Sequence, residues 1–213
     1  MNAIQTLAIS ALPIVFAITL HEAAHGYVAR HFGDPTAWQL GRISLNPLRH
    51  IDPVGTVLVP GLLLLFGSSF FFGWAKPVPV NFGRLRHPKQ DMLWVAAAGP
   101  GVNLLMGLAW ALLLRLGTGA DLGGYGPALM EMSRRGIEFN GMLMVLNLLP
   151  LPPLDGGRIA VSLLPPRAAA KFAAIEPYGL FILLATIPLG ILGYLMAPLM
   201  SAYFFLVMSL LGF

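Results

Sequence analysis

Three residues in one short stretch are able to do chemistry together: His21, Glu22 and His25, in His21-Glu22-Ala23-Ala24-His25. On a helix, positions i and i+4 share a face, so both imidazoles can grip one metal ion while Glu22 stands beside it. Zinc suits neutral imidazole ligands, and a catalytic zinc site keeps one position open for water. The metal acidifies that water, and a carboxylate can take its proton. The pattern arises by chance in about one chain per hundred of this length, so context decides its meaning. Here the context is a run of twenty residues without charge, which ends at His21. An ionisable residue inside an apolar helix is costly and marks function by default. A lone histidine would read as a polar residue bonded to a neighbouring helix. Three ionisable groups within five positions have no cheap structural explanation.

Two histidines leave a zinc site short of a third protein ligand. The candidate is Asp155, in Asn147-Leu148-Leu149-Pro150-Leu151-Pro152-Pro153-Leu154-Asp155-Gly156-Gly157-Arg158, the one acid between Glu138 and Glu176. The three prolines before it must interrupt a helix. Unwound backbone at membrane depth is tolerated only against protein or a water-filled cavity, so this segment should line a polar pocket. The competing role for Asp155 is capping the helix that begins at Gly156; the need for a third ligand favours metal. Ala96-Ala97-Ala98-Gly99-Pro100-Gly101-Val102-Asn103 is a run of small residues that lets membrane helices approach closely. Asn103 is a buried amide that needs partners, bonding either to another helix or to substrate backbone.

The elements that hold these residues follow from composition. Of 213 residues, 57% are hydrophobic and only 10% charged, with a mean hydropathy of +0.76. A soluble domain carries about 25% charged residues, so a soluble globule and a disordered chain are both excluded. The chain reads as an all-α polytopic membrane protein, one domain over 1–213, with a catalytic core of about 3–165 and a C-terminal helical pair of about 168–213. There is no cysteine, hence no disulfide or thiolate metal site. The net charge of +4 fits basic loops facing the cytoplasm; no basic run is interleaved with aromatics, so no nucleic-acid partner is expected. The first twenty residues lack the basic start of a signal peptide.

Five apolar blocks stand out: 1–20, 54–75, 92–114, 139–154 and 177–213, the last broken near Pro188-Leu189-Gly190 and extending back to about Ala168. They predict five to six transmembrane helices. Block 54–75 contains Pro60-Gly61 and Gly67-Ser68-Ser69 and reads as a re-entrant hairpin. A straight span would divide the basic residues 6 against 7 between the two sides, whereas a hairpin collects 10 on one side and leaves Arg115, Arg134 and Arg135 opposite. Leu40–Asn46 and Ala75–Asn81 alternate with period two, which predicts a small membrane-associated β element, with Pro77 and Pro79 confining the second segment to an edge. His31, His50 and His87 fall in basic loops, where solvated or interfacial roles are expected. A Gly-rich loop is expected over Leu116–Gly126.

Taken together, His21–His25, Gly99-Pro100-Gly101-Val102-Asn103 and Asn147–Arg158 resemble, in order, the three signatures of the site-2 protease family of intramembrane zinc metalloproteases. The matched region runs from about residue 15 to 165. Phe72-Gly73-Trp74-Ala75-Lys76-Pro77-Val78-Pro79-Val80-Asn81 further resembles the compact bacterial subgroup without PDZ or CBS domains. The resemblance implies one zinc ion on His21, His25 and Asp155, with Glu22 as general acid/base and Asn147 as a substrate or transition-state contact. It implies cleavage of transmembrane protein substrates near the cytoplasmic face of a bacterial cell membrane, as in regulated intramembrane proteolysis. Two other readings stand beside it: a membrane metal-ion transporter, which predicts ionisable residues strung along the helices, and a catalytically inactive scaffold, against which Glu22 argues.

Overall fold

The computed structural model describes residues 3–65, 73–119, 123–210 and 212. Helix α1 (Ala3–His31) carries the uncharged block and continues through the histidine motif without a break. A short α2 (Thr36–Gln39) follows, and a π-helical turn at Pro53–Leu58 leads into α3 (Val59–Leu65). Then come α4 (Pro88–Gly119), α5 (Gly126–Leu148), α6 (Asp155–Leu163), α7 (Pro166–Ala173), α8 (Glu176–Thr186) and α9 (Ile191–Leu210).

Three helices among the described residues are long and apolar enough to cross a membrane: Ala8–His31, Pro88–Thr118 and Ile191–Leu210. The α7–α8 pair, bent by 62°, makes a fourth if it counts as one broken span. That is fewer than the five to six expected, and charge explains most of the difference. The apolar block 139–154 is the second half of α5. The first half of that helix holds Glu131, Arg134, Arg135 and Glu138, with Arg135 paired to Glu131 at 3.1 Å and to Glu138 at 3.4 Å. In the long C-terminal block the chain breaks where expected, Gly190 adopting φ +70 in the turn between α8 and α9.

Block 54–75 returns to its starting point. The Trp74 amide donates to the Gly55 carbonyl at 3.1 Å, and the Thr56 hydroxyl donates to the Trp74 carbonyl at 2.8 Å. A straight crossing would hold these ends about 30 Å apart. The tip of the block, residues 66–72, and residues 120–122 of the expected Gly-rich loop lie outside the described residues.

The expected β element is corrected: no strand forms among the described residues. Leu40–Asn46 and Ala75–Asn81 do lie side by side, joined through a side chain, since Arg42 donates to the carbonyls of Lys76 at 3.0 Å and Pro77 at 3.3 Å. Pro77 and Pro79 remove two of the amide donors a ladder would need. His50 is likewise corrected. It is buried rather than solvated, with its Nε2 2.8 Å from the Ser44 carbonyl and its own carbonyl accepting from the Lys76 amide at 2.9 Å.

Helices α1, α4 and α5 pack against one another, and α6 against α4. One apolar cluster joins α4, α5 and α9 through Trp110, Ala111, Leu114, Ile137, Tyr203 and Val207. Tyr203 docks the last helix: its ring lies on Gly107 and Gly141, where any side chain would collide, and its hydroxyl donates to the Ile137 carbonyl at 2.9 Å. A second cluster, Ala29, Leu85 and Val95, closes the other end between α1 and α4. Small residues at helix contacts compensate for the lack of a hydrophobic driving force between helices in lipid.

Candidate metal centre

His21 and His25 project from one face of α1, as i and i+4 must, toward the first turn of α6. Asp155 opens that turn because the Pro150–Pro153 segment has ended α5 and turned the chain back. Gly156 and Gly157 make the return feasible: a Cβ on either would strike the backbone of Leu148–Leu149 or Leu151–Pro152. Asp155 is not a cap. The N-cap position is Leu154, with no side-chain bond to the helix.

Three ligand atoms therefore meet. His21 Nε2 lies 3.2 Å from Asp155 Oδ2, His25 Nε2 3.3 Å from the same oxygen, and the two imidazole nitrogens 3.2 Å from each other. Corners of a tetrahedron around zinc, with ligands at about 2.0–2.1 Å, lie about 3.3–3.4 Å apart. The triangle has the edges of one tetrahedral face. His21 is 5% and Asp155 9% exposed, so the ligands are shielded from bulk water.

The proton count sharpens this fit. His25 Nδ1 lies 2.7 Å from the Val95 carbonyl and His21 Nδ1 lies 2.6 Å from Asn103 Oδ1, both acceptors. Each neutral ring thus carries its proton on Nδ1 and turns an unprotonated Nε2 inward. Asp155 Oδ2 is buried without a hydrogen-bond partner. Two imidazole Nε2 atoms and one carboxylate oxygen therefore face one another, the donor set that a zinc ion takes. Gly99 supplies the room. A Cβ there would sit 2.5 Å from His21 Cε1 and from His25 Nε2. Pro100, one residue on, lacks the amide that would bond to the Ala96 carbonyl.

Glu22 lies on the adjacent face of α1, half-buried, and its Oε2 accepts from the Val78 amide at 2.7 Å. Val78 stands between Pro77 and Pro79, so its amide is the one N–H of that tripeptide. The same segment is tied again three residues on, where the Asn81 amide donates to the buried Asp34 at 2.6 Å. We call residues 75–81 the strap.

Of the two roles open to Asn103, the contacts the structure shows are those to other helices. Asn103 is wholly buried and bonded to His21, to the Ala17 carbonyl at 3.2 Å and to Asn140 at 2.9 Å, leaving nothing for a peptide. Asn147 is half-buried and donates to the Leu143 carbonyl of its own helix at 3.0 Å. Sequence reasoning passed over Asn140 and the Val78 amide, and read Gly99 as one of a run of small residues at a helix contact. Asn140 carried a signal, a polar amide within an apolar helical run. A backbone donor carries none.

No family model matches the chain, and no solved structure does. Among curated proteins, it is 40% identical over 196 residues to a Bacillus subtilis (strain 168) protein named "Putative zinc metalloprotease YwhC", covering 90% of this chain and 85% of that one. Proteins named "Putative zinc metalloprotease Rip2" are 29% identical. That of Mycolicibacterium smegmatis aligns over 195 residues, 90% of this chain and 68% of its own length, and that of Mycobacterium tuberculosis (strain H37Rv) over 192 residues, 88% and 66%.

Proposed function

The chain belongs to the site-2 protease family, and on that premise we propose that it is an intramembrane zinc endopeptidase acting on transmembrane segments of other proteins. The observation that carries this reading is the convergence of His21 Nε2, His25 Nε2 and Asp155 Oδ2 beside Glu22, on a helix apolar enough to cross a membrane. A zinc ion held by these three residues supplies Lewis-acid polarisation of a peptide carbonyl and acidification of water.

The rest is work for the chain's own side chains. Glu22 takes the proton of the attacking water and returns one to the leaving amine. The Val78 amide holds that carboxylate in orientation, and the two helices around Gly99 keep bulk water from the imidazoles. A transmembrane substrate helix presents no free carbonyl, because its backbone is internally bonded. It must unwind before it reaches Glu22, and the strap gives an unwound stretch an irregular backbone to lie against. Asn147 contacts the substrate by exchanging its bond to the Leu143 carbonyl for one to substrate backbone. His25 lies five residues, about 7.5 Å along the helix, from Arg30, at the end of α1 that leads into the basic segments. On this reading cleavage occurs near the cytoplasmic face of the cell membrane, and the basic segments beyond α1 support that orientation.

A metal-conducting path finds no support among the described residues. The other buried acids, Asp34 and Asp91, accept from backbone amides at Thr36, Asn81 and His87. The test is Glu22→Gln in the full chain, co-expressed with a single-span membrane substrate. Cleavage should stop while one zinc per chain remains by metal analysis. Continued cleavage by Glu22→Gln overturns the reading.

A further inference from the structure

Asn140 does not touch the metal centre, yet it stands at the far end of a chain of hydrogen bonds that reaches a ligand. It lies in α5, wholly buried. The chain starts at a backbone carbonyl, which can only accept. The Gly136 carbonyl requires the Asn140 nitrogen, 2.8 Å away, and so turns the Asn140 oxygen toward Asn103. Asn103 must then present its nitrogen, which donates to Asn140 Oδ1 at 2.9 Å and to the Ala17 carbonyl at 3.2 Å. The Asn103 oxygen is left facing His21 Nδ1 at 2.6 Å. It has no hydrogen to give, so the ring must donate. Each amide is oriented by the one before it, and the series ends in one tautomer of one imidazole.

We propose that Asn140 is a positioning residue that, acting through Asn103, holds His21 with its proton on Nδ1 and its Nε2 lone pair aimed at the metal. The inference rests on the metal-centre reading above and adds to it a residue two hydrogen bonds from His21, on another helix. The second histidine is a control within the same protein: His25 receives its orientation directly from the Val95 carbonyl and is independent of Asn140. The Ala17 carbonyl still favours the correct face of Asn103 when Asn140 is lost. Removing Asn140 should therefore weaken the arrangement without erasing it, and removing Asn103 should do more.

The experiment uses the full chain in detergent, labelled with 15N-histidine, as wild type, Asn140→Leu and Asn103→Leu. Zinc affinity is read by chelator competition, and the proton position on each ring by 15N chemical shift after zinc is withdrawn. Loss of a group that orients a metal ligand lowers affinity by about 10- to 100-fold. Asn140→Leu should fall at the low end and Asn103→Leu at the high end, with His21 gaining an Nε2–H population in both and His25 remaining Nδ1–H. An Asn140→Leu chain that binds zinc as tightly as wild type overturns the proposal. So does a wild-type spectrum with the His21 proton on Nε2, a result that needs no variant to fold. Wild-type chain that binds zinc but cleaves no substrate breaks the proteolytic reading instead and leaves the relay intact.

Discussion

The two sides of Glu22 are built on different principles. On the ligand side, both imidazoles are fixed by groups that are themselves fixed: His21 by Asn103, Asn103 by Asn140 and Ala17, His25 by Val95. All of these groups sit on α1, α4 and α5. On the strap side, the Glu22 carboxylate meets a backbone amide in a segment without helix or ladder, held at Val78, at Asn81 and by Arg42. A metal site tolerates little displacement, because its ligands must stay at the corners of one polyhedron. A substrate channel has to admit a polypeptide. Rigid helices therefore carry the ligands, and on the proteolytic reading proposed above the irregular segment is where substrate enters.

Substitutions can break this contrast or sharpen it. The largest effect is expected on the ligand side: His21→Ala or Asp155→Ala should abolish both stoichiometric zinc and cleavage, read by metal analysis and a membrane-substrate assay. Next comes Gly99→Ala, whose methyl would meet both imidazoles at 2.5 Å. Overpacking of this kind costs about 1–3 kcal/mol, so thermal unfolding should shift down and zinc should bind more weakly. Strap variants should separate activity from metal. Val78→Pro deletes the amide that Glu22 accepts; a hydrogen bond to a charged group is worth about 1.5–3 kcal/mol. Cleavage should fall by about tenfold or more while zinc content is unchanged, and Val78→Ala should stay near wild type. If Val78→Pro loses zinc as well, the two sides are not independent. The smallest effect is expected for Arg42→Ala, which removes two exposed bonds to the strap and should lower cleavage by a few-fold without altering zinc affinity.

Much of the ligand side was legible from residue types because helical spacing is a local property. His21 and His25 must share a face once the segment is helical, whatever else the chain does. Asp155 was legible by elimination, as the one acid beside prolines and glycines that permit a tight return. The strap was misread as a strand because alternation reports side-chain facing and says nothing about missing amide donors. The start of α5 was missed because apolar content marks what lies in lipid, whereas a helix continues past it for as long as its backbone bonds are made. His50 looked solvated in a basic neighbourhood, and the fold covers it.

Spacing and composition alone determined that this chain holds helices long and apolar enough to cross a membrane, that His21, Glu22 and His25 share one of them, and that the C-terminal block holds another. These are one-element properties, settled by helical period and transfer free energy. Only the tertiary structure decided that Asn103 serves His21 rather than substrate, that Asn140 stands behind it, and that Val78 meets Glu22. Those assignments depend on which donor faces which acceptor across separate helices. A buried amide has two chemically different ends, and its partners, not its type, choose between them.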